Sequence, residues 1–184
     1  MPVQGLSACN YVTACAHKFG GPKGVGFMLI PEGVVDFRLL EGGEQEATHR
    51  AGTEDVAGVF AMSAALENSK QGKAEARDAF IEQIIQSIPG VSLIGAGTER
   101  LWNTVMMSMP RYQSVRWIRA LEKAGFLISA GSACSTGNAS VSEALLAMGI
   151  DAAIAGRVLR ISAGAETTTE DWQALADALL GTYK

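Results

Sequence analysis

A mixed α/β fold is predicted by three features: short apolar runs bounded by Gly or Pro that read as strands, longer segments with helical spacing, and their alternation along the chain. "NYVTA" and "GVGFMLI" read as two buried strands flanking a His-Lys turn. A polar, Gly-containing loop around "EGGEQEATHRAGT" follows. Thr53 then caps a helix, with Val56, Val59, Phe60, Met62 and Leu66 near helical spacing and Glu54 and Asp55 in its first turn. A second helix is expected from Lys73 to Ile88, then strands at "PGVSLIG" and "TVMMSM". "VRWIRALEKAG" reads as a helix ended by Gly125, and "FLISA" as a further strand. Helices near 140–148 and 152–157, the strand "RVLRIS" and a closing helix from about Thr169 to Leu180 complete the order. A change of domain is expected near the long helical stretch, dividing the chain into residues 1–72 and 73–184.

With 184 residues, 48% of them hydrophobic and 18% charged, the chain is long enough for one or two small cores. The net charge is −4, and no basic run stands out, which argues against nucleic acid or an anionic membrane as partner. The apolar stretches fall short of a membrane span, and "MPVQGLSACN" lacks the pattern of a signal peptide, so a cytoplasmic protein is expected. Cys9, Cys15 and Cys134 cannot all pair and match no zinc spacing.

"ACAHKFGGPKGVGFMLI" carries the first candidate site. It lacks the Gly-Lys-Ser/Thr ending of a Walker loop, and an apolar strand follows where a dinucleotide fold would begin a helix. Lys18, beside His17 at a strand end, sits in a turn whose glycines let backbone approach closely. Removal from water there would leave a neutral amine ready for covalent chemistry. The bland alternative is a surface lysine on a turn.

Three other stretches bear on the choice. "GSACSTG" surrounds Cys134 with small residues, which suits an exposed thiol on a mobile loop, against the commoner buried structural cysteine. "THRAGTEDV" places Arg50 and Thr53 at a helix start, an anion site or an ordinary cap. "RVLRISAG" puts Arg157 and Arg160 in an apolar strand, where an arginine needs a partner: a carboxylate of the protein or of a substrate.

Taken together, "AHKFGGPKGVG", "HRAGTEDV", "GSACSTG" and "LRIS", in that order, resemble the cysteine desulfurases, pyridoxal-phosphate enzymes of the class V aminotransferase group. The resemblance covers nearly the whole chain but only the C-terminal half of the family's length. It implies the C-terminal part of a fold-type I pyridoxal-phosphate transferase: residues 1–72 as a remnant of the cofactor-binding large domain, and 73–184 as the small α+β domain. Lys18 then matches the lysine bonded to pyridoxal 5'-phosphate, and His17, Cys15 and Thr53 fall at cofactor-binding positions, Thr53 reaching the site of a neighbouring subunit in a homodimer. Arg160 and Asn103 match substrate-binding positions, with Arg160 on the α-carboxylate of L-cysteine. Cys134 matches the nucleophile that takes up sulfur and, through a persulfide, is a candidate iron-sulfur ligand. A sulfur-acceptor or iron-sulfur scaffold protein is the implied partner.

Two departures weaken the match locally. Cys15 stands where the family has a serine, and a thiol is a weaker donor to phosphate. Glu44 stands where a third glycine is usual. The family's ring-stacking histidine, the aspartate that pairs with the pyridine nitrogen and the phosphate-binding helix are expected to precede the matched segment. A chain without them should turn over little. The alternatives are a selenocysteine lyase or other class V aminotransferase, and a non-catalytic interaction fragment.

Overall fold

The computed structural model describes residues 9–69, 72, 74–131 and 141–184. The chain divides into two compact units, Met1–Lys70 and Gln71–Lys184.

The first unit is built on a two-stranded antiparallel ribbon, β1 (Val12–Cys15) and β2 (Gly26–Leu29), in register from Val12 opposite Leu29 to Cys15 opposite Gly26. A 3₁₀ turn, Ala16–Lys18, leaves the end of β1. Helix α1 (Val56–Glu67) closes the unit. Its cap is Asp55, whose Oδ1 accepts from the Gly58 amide at 3.0 Å, so the expected cap at Thr53 is corrected by two residues. The carboxylate wins because it sits where the first unpaired amides point and carries the charge that the helix N-terminus favours. Apolar residues lie around most of α1, yet only Met62 is buried and Phe60 is 73% exposed. A helix apolar on all sides ordinarily sits inside a core.

The second unit is a four-stranded antiparallel sheet with helices on both faces. The strands are β3 (Ser92–Leu93), β4 (Thr104–Ser108), β5 (Ser129–Ala130) and β6 (Val158–Ser162), in spatial order β3-β4-β6-β5. The helices are α2 (Ala74–Ser87), α3 (Ser114–Lys123), α4 (Glu143–Ala147), α5 (Ala152–Ala155) and α6 (Thr169–Tyr183).

Alternation along the strands divides the two faces. Val105 and Met107 of β4 and Leu159 and Ile161 of β6 join the main core with side chains of α2, α3 and α6. On α2 the buried residues Phe80, Ile81 and Ile84 recur at helical spacing, and on α6 Trp172, Leu175, Ala176 and Leu179 do the same. Phe80 meets Trp172 with ring centroids 4.9 Å apart. Each fully buried Leu, Ile or Phe stabilises by about 1.5–3 kcal/mol, which makes this layer the main source of the unit's stability. Met106 and Val158 face the other way, into a smaller cluster with Leu145 and Ala155 of α4 and α5.

Helix ends follow their local chemistry. Gly125, at φ +91°, ends α3, and the Phe126 amide returns to Leu121 O at 2.8 Å. Thr168 and Asp171 form a reciprocal capping box at the start of α6. The expected strand at "FLISA" shortens to Ser129–Ala130, since Leu127 is exposed and outside the ladder.

Candidate functional site

Cys15, His17 and Lys18 are brought together where β1 runs into the 3₁₀ turn. Backbone alone locks this turn. The Ala16 amide donates to Val25 O at 3.0 Å, and Ala16 O accepts from Gly21 N at 2.8 Å and Phe19 N at 3.1 Å. Ala16 is completely buried at its centre. A Cβ on Gly21 would lie 2.8 Å from Ala16 Cβ, and one on Gly26 would lie 2.4 Å from Ala14 O. Glycine is therefore required at both positions, as the turn's composition predicts. Cys15, His17 and Lys18 are exposed. Of the two readings of Lys18, the described residues of its own unit give the exposed one.

Thr53 is also exposed, two residues ahead of the α1 cap. In the preceding loop Arg50 turns inward on its own backbone, donating to Gly52 O at 2.9 Å, with Glu46 at 3.9 Å. The expected anion site at Arg50 and Thr53 is therefore partly occupied by the loop itself. Glu46, Ala47 and Thr48 take φ values of 49°, 53° and 70°, a left-handed run without a glycine. Arg38 steadies it by donating to Thr48 Oγ1 at 2.7 Å, and His49 Nδ1–H donates to Phe37 O at 2.8 Å. Nothing in the sequence signals this run, because non-glycine residues rarely adopt it.

Arg160 and Asn103 belong to the second unit. Arg160 lies opposite Met106 in the β4–β6 ladder and opposite Ser129 in the β5–β6 ladder. It therefore points to the face away from the α2–α3–α6 layer. Its Nη1 lies 3.4 Å from Gly131 O, at the end of β5. Asn103 is held by the sheet: Nδ2 donates to Ala163 O at 2.9 Å, and Oδ1 accepts from Thr104 Oγ1 at 3.1 Å. Cys134 lies outside the described residues, three positions beyond Gly131.

Gly131, at the end of β5, lies close to Ser142, the residue before α4. A Cβ on Gly131 would meet Ser142 Cβ at 3.0 Å and Leu145 Cδ1 at 3.3 Å. Sequence reading missed Gly131 and the buried Ser142 as supports; the only signal was a glycine at a strand end. Arg157, expected to need a carboxylate, finds carbonyls instead, donating to Pro110 O at 3.0 Å and Ala153 O at 3.1 Å.

A strand-end lysine with an accessible amine is a group that carbonyl chemistry can use. The family model described as Aminotransferase class-V matches residues 5–175. The chain belongs to that family, which depends on pyridoxal phosphate. Cysteine desulfurase IscS of Dictyoglomus turgidum is 36% identical over 177 residues, covering 92% of this chain and 45% of that protein. The IscS-like cysteine desulfurase of Mycobacterium tuberculosis is 35% identical, covering 96% and 47%. A solved NifS-like protein has a TM-score of 0.76 at 28% identity, covering 94% of this chain and 45% of its own. SspA in complex with cysteine has a TM-score of 0.65 at 27% identity, with 86% and 45% covered. The chain spans about half the length of the curated relatives it matches.

The turn fits the attachment side of the cofactor. A lysine that bonds pyridoxal phosphate needs an accessible amine on a fixed backbone, and Lys18 has both. His17 and Cys15, exposed beside it, add donors suited to a phosphate group.

Proposed function

We propose that this chain carries the lysine and the sulfur-accepting half of a cysteine desulfurase. The whole protein would remove sulfur from L-cysteine, releasing L-alanine and leaving a persulfide on Cys134 for iron-sulfur assembly or other sulfur transfer. The observation that carries this reading is the exposed Lys18 amine on a turn that backbone contacts hold rigid, in a chain matched to the family over residues 5–175.

The cofactor, when bound, supplies an electron sink conjugated to the substrate α-carbon. His17 and Thr53 would hold its phosphate, with Cys15 as a weaker donor. The Lys18 amine would take the proton from the α-carbon and return one later. Arg160, whose planar fork suits a carboxylate, would orient the substrate together with Asn103. The Cys134 thiolate would attack the substrate sulfur: an S–S bond forms as the C–S bond breaks. The electron pair stays with the carbon fragment, which is protonated to alanine, so no outside oxidant is required.

The site is proposed to be shared across a homodimer in the cytoplasm, with a sulfur acceptor or iron-sulfur scaffold as the onward partner and Cys134 as a transient iron-sulfur ligand. Residues 1–72 are read as large-domain and 73–184 as small-domain. The chain alone is expected to be nearly inactive. No helix among the described residues is long and apolar enough to cross a membrane.

Borohydride reduction after incubation with pyridoxal phosphate, followed by peptide mapping, tests the reading. An adduct concentrated on Lys18 supports it; scattered labelling of surface lysines such as Lys23 and Lys123 counts against cofactor binding by this chain. Brisk alanine release from purified chain would overturn the expected inactivity. A second reading, a non-catalytic interaction fragment, is favoured by the exposed apolar residues of α1, and predicts partner binding without cofactor absorbance.

A further inference from the structure

We propose that the second unit docks an acidic segment of a partner protein on an arginine-tyrosine cluster formed by Arg111, Tyr112, Arg116, Arg157 and Tyr183. Arg111 and Tyr112 belong to the turn between β4 and α3, Arg116 to the first turn of α3 and Tyr183 to the end of α6. The Arg116 guanidinium lies 3.5 Å from the Tyr112 ring centroid, and that of Arg111 lies 5.0 Å from Tyr183. Arg157 is tied to the same turn through Pro110 O. Arg111 and Arg116 are exposed.

The platform is anchored in the core. Trp117, fully buried, donates from Nε1 to Arg111 O at 2.8 Å, and its ring lies 6.2 Å from Tyr112. Two arginines held against aromatic rings have already lost much of the rotamer freedom that binding would otherwise remove. Neither is matched by a carboxylate: the ion pairs among the described residues are Arg50–Glu46 and Arg77–Asp78, both elsewhere. The chain as a whole carries −4, so a cationic group here opposes the overall sign. It would select by local complementarity, not by general basicity.

The geometry favours a polypeptide carboxylate over nucleic acid. Each tyrosine ring already carries a guanidinium on one face, which reduces the surface left for a base to stack on. The N–H groups of a stacked guanidinium point outward from its edge, the arrangement that carboxylates pair with bidentately.

The test is fluorescence anisotropy of the full 184-residue chain with a labelled oligoglutamate peptide, an oligoglutamine peptide of equal length and an oligouridylate. Oligoglutamate should bind, more weakly as salt rises, and oligoglutamine should not. Arg116→Glu and Arg111→Glu should each weaken binding about tenfold, equivalent to about 1.4 kcal/mol. Arg116→Lys, which keeps the charge but not the fork, should weaken it less. Arg100→Glu, in the same unit but outside the cluster, should leave binding unchanged, and circular dichroism checks that each variant is folded. Equal weakening by Arg100→Glu, tighter binding of oligouridylate, or no binding of oligoglutamate would each overturn the proposal.

Discussion

Replacing Gly26 by alanine tests whether the Lys18 turn depends on the close approach of its two strands. The new Cβ would lie 2.4 Å from Ala14 O and 3.3 Å from Cys15 Cα. Carbon–oxygen contacts between neighbouring strands run at about 3.3–3.6 Å, so the strands must separate locally by roughly 1 Å. Both obstructing atoms are backbone, and no rotamer change relieves them. Hydrogen bonds stretched that far are effectively lost, and two of them at about 0.5–1.5 kcal/mol net each amount to about 1–3 kcal/mol. A two-stranded ribbon is marginal by itself, so this is enough to open it. Amide hydrogen exchange measures the effect: protection at the Ala16 amide, bonded to Val25 O, should fall, and borohydride trapping at Lys18 should fall with it. Gly181→Ala, where a Cβ meets nothing within 4 Å, is the control and should change neither. Unaltered Ala16 protection and Lys18 trapping in Gly26→Ala would refute the claim that close backbone packing positions the lysine.

Two further substitutions probe the architecture. Trp117→Ala removes a fully buried ring together with its bond to Arg111 O and should destabilise the second unit by about 3–5 kcal/mol in urea unfolding; a loss below about 1 kcal/mol would mean the cavity collapses freely. Asp55→Ala should cost about 1 kcal/mol of α1 stability by circular dichroism, whereas Thr53→Ala should cost little; the reverse order would reinstate the cap expected from sequence.

Where local pattern and tertiary packing agree, the sequence is a sufficient guide. The alternation in "TVMMS" and "VLRIS" separates Met107 and Leu159 from Met106 and Arg160, and the structure puts them on opposite faces of one sheet. The closing helix expected from about Thr169 begins there as α6, and Gly125 ends α3 as expected. Short-range competition is harder to read: Thr53 and Asp55 are both good caps, and only the backbone path selects the carboxylate. Leu127 looks like a strand residue until the ladder is seen to begin at Ser129. The candidate site was legible as a set of residue types, not as an environment. Lys18 reads either as a desolvated amine or as a surface lysine, and among the described residues it is exposed even though α1 lies beside the turn.

The contact between Gly131 and Ser142 has a bearing on how this architecture can vary. Gly131 at the end of β5 and Ser142 at the start of α4 lie close together, so the ladder and the core do not register how much chain joins them. Doubling the length of such a segment costs only about 0.6 kcal/mol in closure entropy. On the function proposed above, the reach of Cys134 would then be adjustable by insertion or deletion alone, with β5 and α4 left as they are.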